Sequence, residues 1–592
     1  MPANRLRLLP APRRLELRSG EGAPRDAAPD ARLDARLGAQ AFTLEIGAGA
    51  LRIRHGDANG LRYAEETLRQ LRRQSGAVLP ALRIDDAPDF PVRGYMLDVS
   101  RDRVPTRETL ARLAPLLARL RINHLQLYTE HSFAYAGHAT VWRDASPLDA
   151  DDVRWLDALC RAHGIELAAN QNSFGHMGRW LAHDAYRARA EAPDGFRTKL
   201  GLSLPPGVLA PTQDNAAFAL ALCRELLACH SSRRIHIGCD ETFELGRGAS
   251  RELVERHGRG RVYLDHLLRL TEPLREEGCE VLFWGDILRH HPELVPELPK
   301  EGAIACAWHY EAPRASLPLP DEMLALLAEF GVDRAGLAGF AAHVDAFAGS
   351  GLPFWVCPGT SSWNSLLGRL PNARGNLLDA AETGLARGAS GFLITDWGDT
   401  GHMQPPSVSF APLAYGAAVS WGLAANRDLA LPELLDAFVF EDEAGVLGFA
   451  VEKLGGLYTG TGKLGLNGSP LFSELVQGGL LGALGNADAD GTRRVIESLD
   501  ASIAELSRAR PASSDGAVVV RELQQAARLA RHGAFRIARA AGFACPSDAE
   551  LRRDLGEAIA EQRTCWLLRS RPGGLADSVA RLEATLAGYG DR

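Results

Sequence analysis

The sequence predicts an α/β protein whose central domain is a (β/α)8 barrel of the TIM type. Short apolar stretches alternate with amphipathic helical stretches through the middle of the chain. An open doubly wound sheet would alternate in the same way, but the chain has no Gly-x-Gly-x-x-Gly turn and no Walker loop. Polar residues follow the apolar stretches, as at the mouth of a barrel. The predicted barrel strands are 94–99, 124–129, 165–170, 235–239, 281–284, 304–308, 354–357 and 391–395.

A small N-terminal α/β domain is predicted before the barrel, over residues 1–88. Its strands are expected at 14–18, 41–46, 51–54 and 82–86, where apolar and polar side chains alternate. A helix is expected from Gly60, because apolar residues recur at three- and four-residue steps at Leu61, Ala64, Leu68 and Leu71. Residues 87–91 have the composition of a linker.

The barrel is expected to occupy residues 89–430, and a helical region the remaining residues 431–592. Apolar residues step by three and four along this last part, at Val520, Leu523, Ala527, Ala530, Ala534 and Ile537 and again at Leu575, Val579, Leu582 and Leu586. The region has few acids or histidines after strands. We expect it to buttress the barrel or to form an oligomer interface, such as that of a homodimer.

The composition, 46% hydrophobic and 24% charged, is that of a globular protein. The net charge of -8 is spread over the chain and no basic stripe occurs, which argues against a nucleic-acid partner. No stretch of about 18 apolar residues offers a membrane span, and no signal segment is evident. The nine cysteines are scattered singly. This pattern favours a reducing compartment, and we expect a cytoplasmic protein without a structural metal site.

The fourth predicted strand ends in two adjacent carboxylates, Asp240 and Glu241. Acids after a strand can simply stabilise the amino terminus of a following helix. Two close carboxylates can also form a catalytic pair, because they do not both ionise easily and one pKa rises. The pair alone does not decide between these readings.

The other strand ends favour a catalytic site that binds a sugar. Four of the ten tryptophans follow strands five to eight. Aromatic faces cover the C–H face of a pyranose, while acids and amides bind its hydroxyls. Each tryptophan taken alone is more often a core residue. The polar and aromatic candidates at the strand ends are Glu130, His176, Trp284, Trp308, Tyr310, Asn364, Trp397 and Asp399.

The adjacency of Asp240 and Glu241 also bears on mechanism. Two carboxyls that flank a glycosidic bond lie about 5–5.5 Å apart in retaining and 6.5–9.5 Å apart in inverting glycosidases. Neighbouring residues at a strand end are expected to point in different directions, and so do not straddle one sugar. One acid donor with one supporting acid fits a nucleophile that the substrate itself provides.

These residues resemble a known family. His236-Ile-Gly-Cys-Asp-Glu241 is similar to the His-x-Gly-x-Asp-Glu signature of glycoside hydrolase family 20, the β-N-acetylhexosaminidases. The stretch RGYMLDVSR, from Arg93 to Arg101, resembles the first barrel strand of that family, and the helix from Gly60 resembles its small N-terminal domain. The variants Phe174-Gly-His-Met177 and Gly238-Cys-Asp-Glu241 most resemble the hexosaminidase D branch of the family. The resemblance covers roughly residues 40 to 400.

The resemblance implies a retaining enzyme that removes terminal β-linked N-acetylhexosamines without a metal or cofactor. Glu241 would be the general acid/base, and Asp240 would orient the 2-acetamido group, whose oxygen attacks C1 to give an oxazolinium intermediate. Arg93 and Asp399 would hold sugar hydroxyls. His176, Trp284, Trp308 and Trp397 would line the pocket.

The chain departs from the family pattern at three places. Trp397-Gly-Asp399 stands where the family has Trp-x-Glu, and Glu130 stands where it has an Asp. The Tyr-x-Asp after strand seven is missing. Trp363-Asn364 stands nearby, and Tyr310 on strand six is a candidate to supply the missing hydroxyl.

Three alternatives stay open from the sequence. The first is a conventional retaining glycosidase with Glu241 as acid and a carboxylate such as Asp399 as nucleophile. The second is a sugar-binding protein without activity, against which the intact acid pair argues. The third, a metal hydrolase using His236 and Asp240, lacks a clustered His/Cys set.

Overall fold

The computed structural model describes residues 6–197, 203–313, 334–477 and 484–590. The N-terminal strands are β1 (Arg14–Leu17), β2 (Ala23–Pro24), β3 (Pro29–Leu33), β4 (Phe42–Gly47), β5 (Ala50–His55), β6 (Val78–Leu79) and β7 (Leu82–Asp86). Five of them form one sheet in the order β1-β7-β4-β5-β3, and β2 pairs with β6. Alternating apolar residues of β4 and β5 are buried against the helix Ala58–Gln74. Asp57 caps this helix by accepting a hydrogen bond from the Gly60 N–H at 2.7 Å.

Eight parallel strands then close into a barrel, which confirms the predicted fold class. They are β8 (Val92–Asp98), β9 (His124–Tyr128), β10 (Glu166–Asn170), β13 (Arg234–His236), β14 (Glu280–Trp284), β15 (Ala303–Trp308), β16 (Phe354–Cys357) and β17 (Gly391–Asp396). The last strand pairs with the first, from Gly391 opposite Val92 to Asp396 opposite Leu97. A two-residue pair, β11 (Phe196–Arg197) and β12 (Ser203–Leu204), lies in the loop after β10.

Helices connect these strands on the outside of the barrel. The longer ones are Arg107–Arg119, Ala150–Ala162, Gln213–Leu227, Arg251–His257, Arg259–Glu276, Leu370–Arg387 and Phe410–Trp421. Single-turn helices lie in the loops at Ala139–Trp142, Gly178–Leu181, Asp184–Arg187, Asp286–Arg289, Arg334–Leu337, Ala341–Val344 and Leu423–Asn426. The loops after the strands are long, and the catalytic candidates lie on them.

Aromatic and sulfur-containing side chains fill the interior of the barrel. Trp284, Trp355 and Cys306 are buried there with Leu282 and Leu393. The ring of Trp284 lies 6.0 Å from that of Trp397, which stands at the mouth. The indole of Trp284 therefore forms part of the floor of the mouth.

Arg93 does not lie at the mouth, which corrects its assignment to the substrate site. The residue is at the beginning of β8, so its side chain is at the amino-terminal end of the barrel. It is fully buried and donates to the Phe90 and Arg121 carbonyl oxygens and to Tyr63 Oη. Its position is that of a structural link between the barrel and the N-terminal domain.

The C-terminal part is helical, as the periodicity predicts. Its helices are Leu431–Phe438, Leu447–Gly456, Pro470–Phe472, Ala489–Leu506, Gly516–Ala540, Asp548–Leu567 and Leu575–Ala587. It packs on the barrel through contacts such as the Ser578 hydroxyl donating to the Gly401 carbonyl at 2.6 Å. We propose domain boundaries near residues 88 and 430, where the sheet, the barrel and these helices succeed one another.

Within the described ranges, no helix has the length and apolarity that a membrane span requires. All nine cysteines are unpaired, and all but Cys545 are buried.

Candidate active site

One cavity of about 230 Å³ opens at the carboxyl ends of the barrel strands. Most of the residues predicted from the strand ends meet in it: His176, Asp240, Glu241, Trp308, Tyr310, Trp397 and Asp399. Among the described residues, the lining also includes Arg101, His309, Glu311, Leu337, Leu466 and Asn467. The acid pair, a cationic group and an aromatic wall therefore share one small space.

Asp240 and Glu241 converge on the same histidine. His176 Nε2 lies 3.2 Å from Asp240 Oδ2 and 3.4 Å from Glu241 Oε2. The expectation that the two acids point in different directions is therefore wrong. They lie on one side of the cavity, where they cannot attack and protonate a sugar from opposite faces.

The backbone after β13 explains this convergence. Gly238, Cys239 and Glu241 have φ angles of 70°, 72° and 50°, in the left-handed region that non-glycine residues rarely adopt. A Cβ at Gly238 would lie 2.0 Å from Asn172 Oδ1, so the turn admits no side chain there. This turn brings two adjacent carboxylates to one side.

The two acids differ in exposure and in pKa. The Glu241 side chain is 37% exposed and that of Asp240 only 7%. Burial and the neighbouring Asp240 charge raise the pKa of Glu241, against the opposing charge of His176. Burial also disfavours the Asp240 anion, but the charge and hydrogen bond of His176 outweigh it and lower the Asp240 pKa. Glu241, accessible and with a raised pKa, thus stands beside Asp240, enclosed and with a lowered pKa.

His176 is a cation that contacts both acids. Burial alone would lower its pKa, but the charge of Asp240 and the hydrogen bond to it raise the pKa to about 10. The residue itself has a left-handed φ of 56°. The structure places His176 in the cavity lining.

Asp286 supports the acid pair from behind. Its Oδ2 accepts the Glu241 backbone N–H at 3.1 Å. Burial and the Asp240 charge raise its pKa to about 7. Asp286 therefore holds the strained turn without lining the cavity.

Arg101 is a functional candidate that was not predicted from the sequence. Its guanidinium lies 3.0 Å from Asp98 Oδ2, 3.5 Å from Glu130 Oε1 and 3.5 Å from Asp399 Oδ1. It also lies 4.9 Å from the centres of the Tyr128 and Trp397 rings. Its position in the sequence could have indicated this role. Arg101 follows β8 whereas Arg93 lies at its beginning, and only residues at the carboxyl ends of the strands reach the mouth.

An aromatic wall faces the acids. Trp308 and Tyr310 stack with ring centres 5.2 Å apart, and Tyr310 meets Trp397 and Trp363 edge-on at 6.4 and 5.1 Å. Trp308 Nε1 and Asp240 Oδ1 are buried without a hydrogen-bond partner in the described part of the chain. A ligand with both an apolar face and polar groups would complement this wall.

Three predicted residues lie next to the cavity and not in its lining. Trp284 is fully buried beneath it, with its ring 4.2 Å from that of His236. Glu130 accepts the Tyr128 hydroxyl at 2.9 Å and, with Asn364, lines an adjoining depression on the other side of Arg101. In this geometry none of the three residues lines the cavity that holds the acid pair.

Metal ligation is not indicated by the geometry. Across residues 6–197, 203–313, 334–477 and 484–590, no three His, Cys, Asp or Glu side chains are grouped to hold an ion.

Family models match most of the first half of the chain. The model of glycosyl hydrolase family 20, domain 2, matches residues 5–87, and that of the family 20 catalytic domain matches residues 90–319. The matched part includes the acid pair, His176 and Arg101.

Several known proteins resemble the chain. Hexosaminidase D of Homo sapiens is 27% identical over 210 residues, which is 34% of this chain and 41% of that protein. Hexosaminidase D of Bos taurus is 25% identical over 191 residues, 31% of this chain and 52% of that protein. The alignments thus span about half of these relatives or less.

Among solved structures, Flavobacterium johnsoniae chitobiase has a TM-score of 0.57 at 16% identity, covering 99% of this chain and 100% of that one. This likeness shows the fold, and it extends over the C-terminal helices. With the two family models, these findings establish that the chain belongs to glycoside hydrolase family 20.

Proposed function

We propose that this protein is a retaining exo-β-N-acetylhexosaminidase that removes terminal β-linked N-acetylglucosamine or N-acetylgalactosamine by substrate-assisted catalysis. The observation that carries the proposal is the acid pair: Glu241, accessible and with a raised pKa, beside Asp240, enclosed and with a lowered pKa. Two carboxyls whose surroundings push their pKa values apart are suited to separate acid and anionic roles.

In the proposed reaction, Glu241 protonates the glycosidic oxygen while the 2-acetamido oxygen of the substrate attacks C1. The bond to the leaving group breaks, and a bicyclic oxazolinium forms on the face opposite the departing oxygen. Asp240 accepts the acetamide N–H and stabilises the developing positive charge. Glu241, now a carboxylate, removes a proton from the water that opens the oxazolinium, and the β configuration is retained.

The rest of the cavity supports the binding of a sugar. Arg101 and Asp399 offer a donor and an acceptor for ring hydroxyls, and the Trp308, Tyr310 and Trp397 rings offer apolar faces. The names of the relatives, hexosaminidase D and chitobiase, agree with an N-acetylhexosaminide as substrate.

A conventional retaining mechanism would need a carboxylate nucleophile on the other side of the sugar. Asp399 is the candidate, but burial raises its pKa even with Arg101 opposing that rise, and its Oδ1 lies 3.5 Å from Arg101 Nε. A carboxyl with a raised pKa, whose anion is paired with an arginine, is a poor nucleophile. These features favour the acetamide of the substrate.

The nine unpaired cysteines support a proposal that the protein works in a reducing compartment, the cytoplasm. A homodimer stays a prediction.

The proposed activity can be tested with p-nitrophenyl β-glycosides. Release of nitrophenol from the N-acetylglucosaminide or the N-acetylgalactosaminide is the expected result, and NMR should show that the first product is the β anomer. An α-anomeric first product, or no hydrolysis of either substrate, would contradict the proposal.

Tyr310 is proposed to hold the acetamide oxygen. Burial raises the pKa of its hydroxyl well above the usual value, so the group stays a donor, and it lines the cavity with Asp240. Tyr310→Phe is expected to lower kcat/KM by roughly 5- to 150-fold, the effect of losing a buried hydrogen bond of about 1–3 kcal/mol. The pH profile should keep its shape. Tyr135→Phe, a buried tyrosine outside the cavity that bonds Gln171, is the matched control and should remain near wild type. Equal activity of both variants would remove Tyr310 from this role.

A further inference from the structure

The C-terminal helical region contributes directly to the substrate cavity. Leu466 and Asn467 line it together with Asp240 and Glu241. Both lie in the segment 464–469, which precedes the helix Pro470–Phe472. The family models end at residue 319, so this wall of the cavity comes from outside the matched part.

The segment 464–469 is fixed to the barrel by backbone hydrogen bonds. The Asn467 N–H donates to Glu311 Oε1 at 2.9 Å, and the Ser469 N–H donates to the Asn364 carbonyl at 2.8 Å. Glu311 is held in turn by Arg369, which is fully buried and pairs with it at 2.8 Å. The backbone of Asn467 is therefore tied to the barrel through a buried ion pair.

The side-chain amide of Asn467 has only one orientation that fits its neighbour. Trp363 Nε1 is a donor without acceptor capacity, and it lies 2.9 Å from Asn467 Oδ1. The oxygen must therefore face Trp363, which turns the amide nitrogen Nδ2 away from that ring. In the described part of the chain Nδ2 has no hydrogen-bond partner, and the residue is exposed in the cavity lining. Asn467 also has a φ of 48°, which asparagine adopts more readily than most residues.

From this geometry we propose that Asn467 is a substrate-binding and specificity-determining residue, whose Nδ2 donates a hydrogen bond to a ring hydroxyl of the sugar in the cavity. The inference rests on the proposed function and deepens it. It gives the C-terminal region a role in recognising the terminal N-acetylhexosamine, beyond buttressing the barrel. The amide nitrogen can donate a hydrogen bond to a hydroxyl oxygen of the sugar, whereas a carboxylate can only accept one.

Two substitutions test the Asn467 Nδ2 donor without changing the backbone conformation of the segment. Asn467→Asp keeps an oxygen for Trp363 and tolerates the left-handed backbone, but it replaces the donor by an acceptor. Asn467→Gly removes the side chain without adding charge and also accepts the positive φ. Both are made in the full chain. The probes are the p-nitrophenyl N-acetylglucosaminide for kcat/KM and a thiazoline mimic of the bicyclic intermediate, which carries the ring hydroxyls and no leaving group, for calorimetric binding.

Both variants are expected to lose about tenfold in kcat/KM and in thiazoline affinity, the size of one lost neutral hydrogen bond. Asn467→Asp keeps the acceptor for Trp363 and should keep the melting temperature, whereas Asn467→Gly leaves the buried Trp363 N–H unpaired and should lower it. The control is Lys463→Ala, at the residue that immediately precedes the segment 464–469. Its ammonium pairs with Glu474 at 2.7 Å and does not line the cavity, so both measurements should match wild type.

Thiazoline binding by both Asn467 variants at the wild-type level would overturn the inference, as would an equal loss in Lys463→Ala. If the wild type itself neither hydrolyses the substrate nor binds the thiazoline, the proposed function fails instead, so the two failures are distinguishable.

Discussion

Replacing Glu241 by glutamine is expected to lower kcat on an unactivated disaccharide by ~10²–10⁴-fold, the usual contribution of general acid–base catalysis. The amide keeps the shape of the side chain and removes the proton. Burial and Asp240 raise the pKa of Glu241, which favours the protonated form that a general acid needs. The alkaline limb of the wild-type pH profile should therefore be absent from the variant.

The loss should be smaller for a 2,4-dinitrophenyl glycoside, because its leaving group departs without protonation. This dependence on the leaving group separates a proton donor from a residue that only positions the substrate.

Glu244→Gln is the matched control for this experiment. Glu244 lies three residues further along and also has a pKa raised by burial, to about 7, but it does not line the cavity. Its Oε1 accepts the Gly207 N–H at 2.6 Å, a bond that glutamine can preserve. If Glu241→Gln turns over the disaccharide at a near-normal rate, or if Glu244→Gln loses as much, Glu241 is not the acid.

The barrel was predictable because its strands are short apolar runs buried on both sides and its helices are amphipathic. These patterns are local, and all eight strands lie where the apolar runs indicated them. The carboxyl ends of parallel strands meet at one mouth, so a list of strand-end residues already contained most of the cavity lining.

The features that the sequence did not predict depend on the direction in which side chains point and on contacts between residues that are far apart in the chain. Arg93 and Arg101 belong to one motif, but only the second follows the strand and reaches the mouth. Trp284 ends β14, yet its side chain turns into the barrel interior. The convergence of Asp240 and Glu241 requires left-handed φ angles at Cys239 and Glu241, which periodicity does not reveal.

Asn467 and Trp363, which share a hydrogen bond, lie 104 positions apart in the chain. No local pattern marks it as a cavity residue. Its place follows only from the packing of the C-terminal helices on the barrel.

The acetamide group of the substrate is expected to be indispensable if it acts as the nucleophile. Intramolecular attack in a well-oriented case is worth roughly 7–11 kcal/mol of the barrier. A p-nitrophenyl β-glucoside, which lacks the acetamide, should therefore be nearly inert even at saturating concentration, while the thiazoline mimic should bind tightly because the site is complementary to that geometry.

Asp240→Asn is expected to weaken both hydrolysis and thiazoline binding. The lowered pKa of Asp240 shows that the wild-type group is an anion, held by His176, and the variant removes that charge beside the developing oxazolinium. A fall of roughly 10²–10³-fold in kcat is the size expected for losing one preorganised electrostatic contact. Because the Asp240 charge raises the pKa of Glu241, the variant should also shift the alkaline limb of the pH profile to lower pH.

The rival mechanism makes the opposite prediction for a different probe. If Asp399 attacks C1, a 2-fluoro glycoside with a good leaving group should trap a covalent adduct on that carboxylate, and mass spectrometry of the digested protein should locate it. Asp399 is paired with Arg101 and has a pKa raised by burial, so we expect no adduct. An adduct on Asp399, together with a glucoside that is hydrolysed at a rate comparable to the N-acetylglucosaminide and no inhibition by the thiazoline, would assign the nucleophile to the protein and end the substrate-assisted proposal. The converse pattern would assign it to the acetamide, because no carboxyl of the chain would then be needed to form the bond to C1.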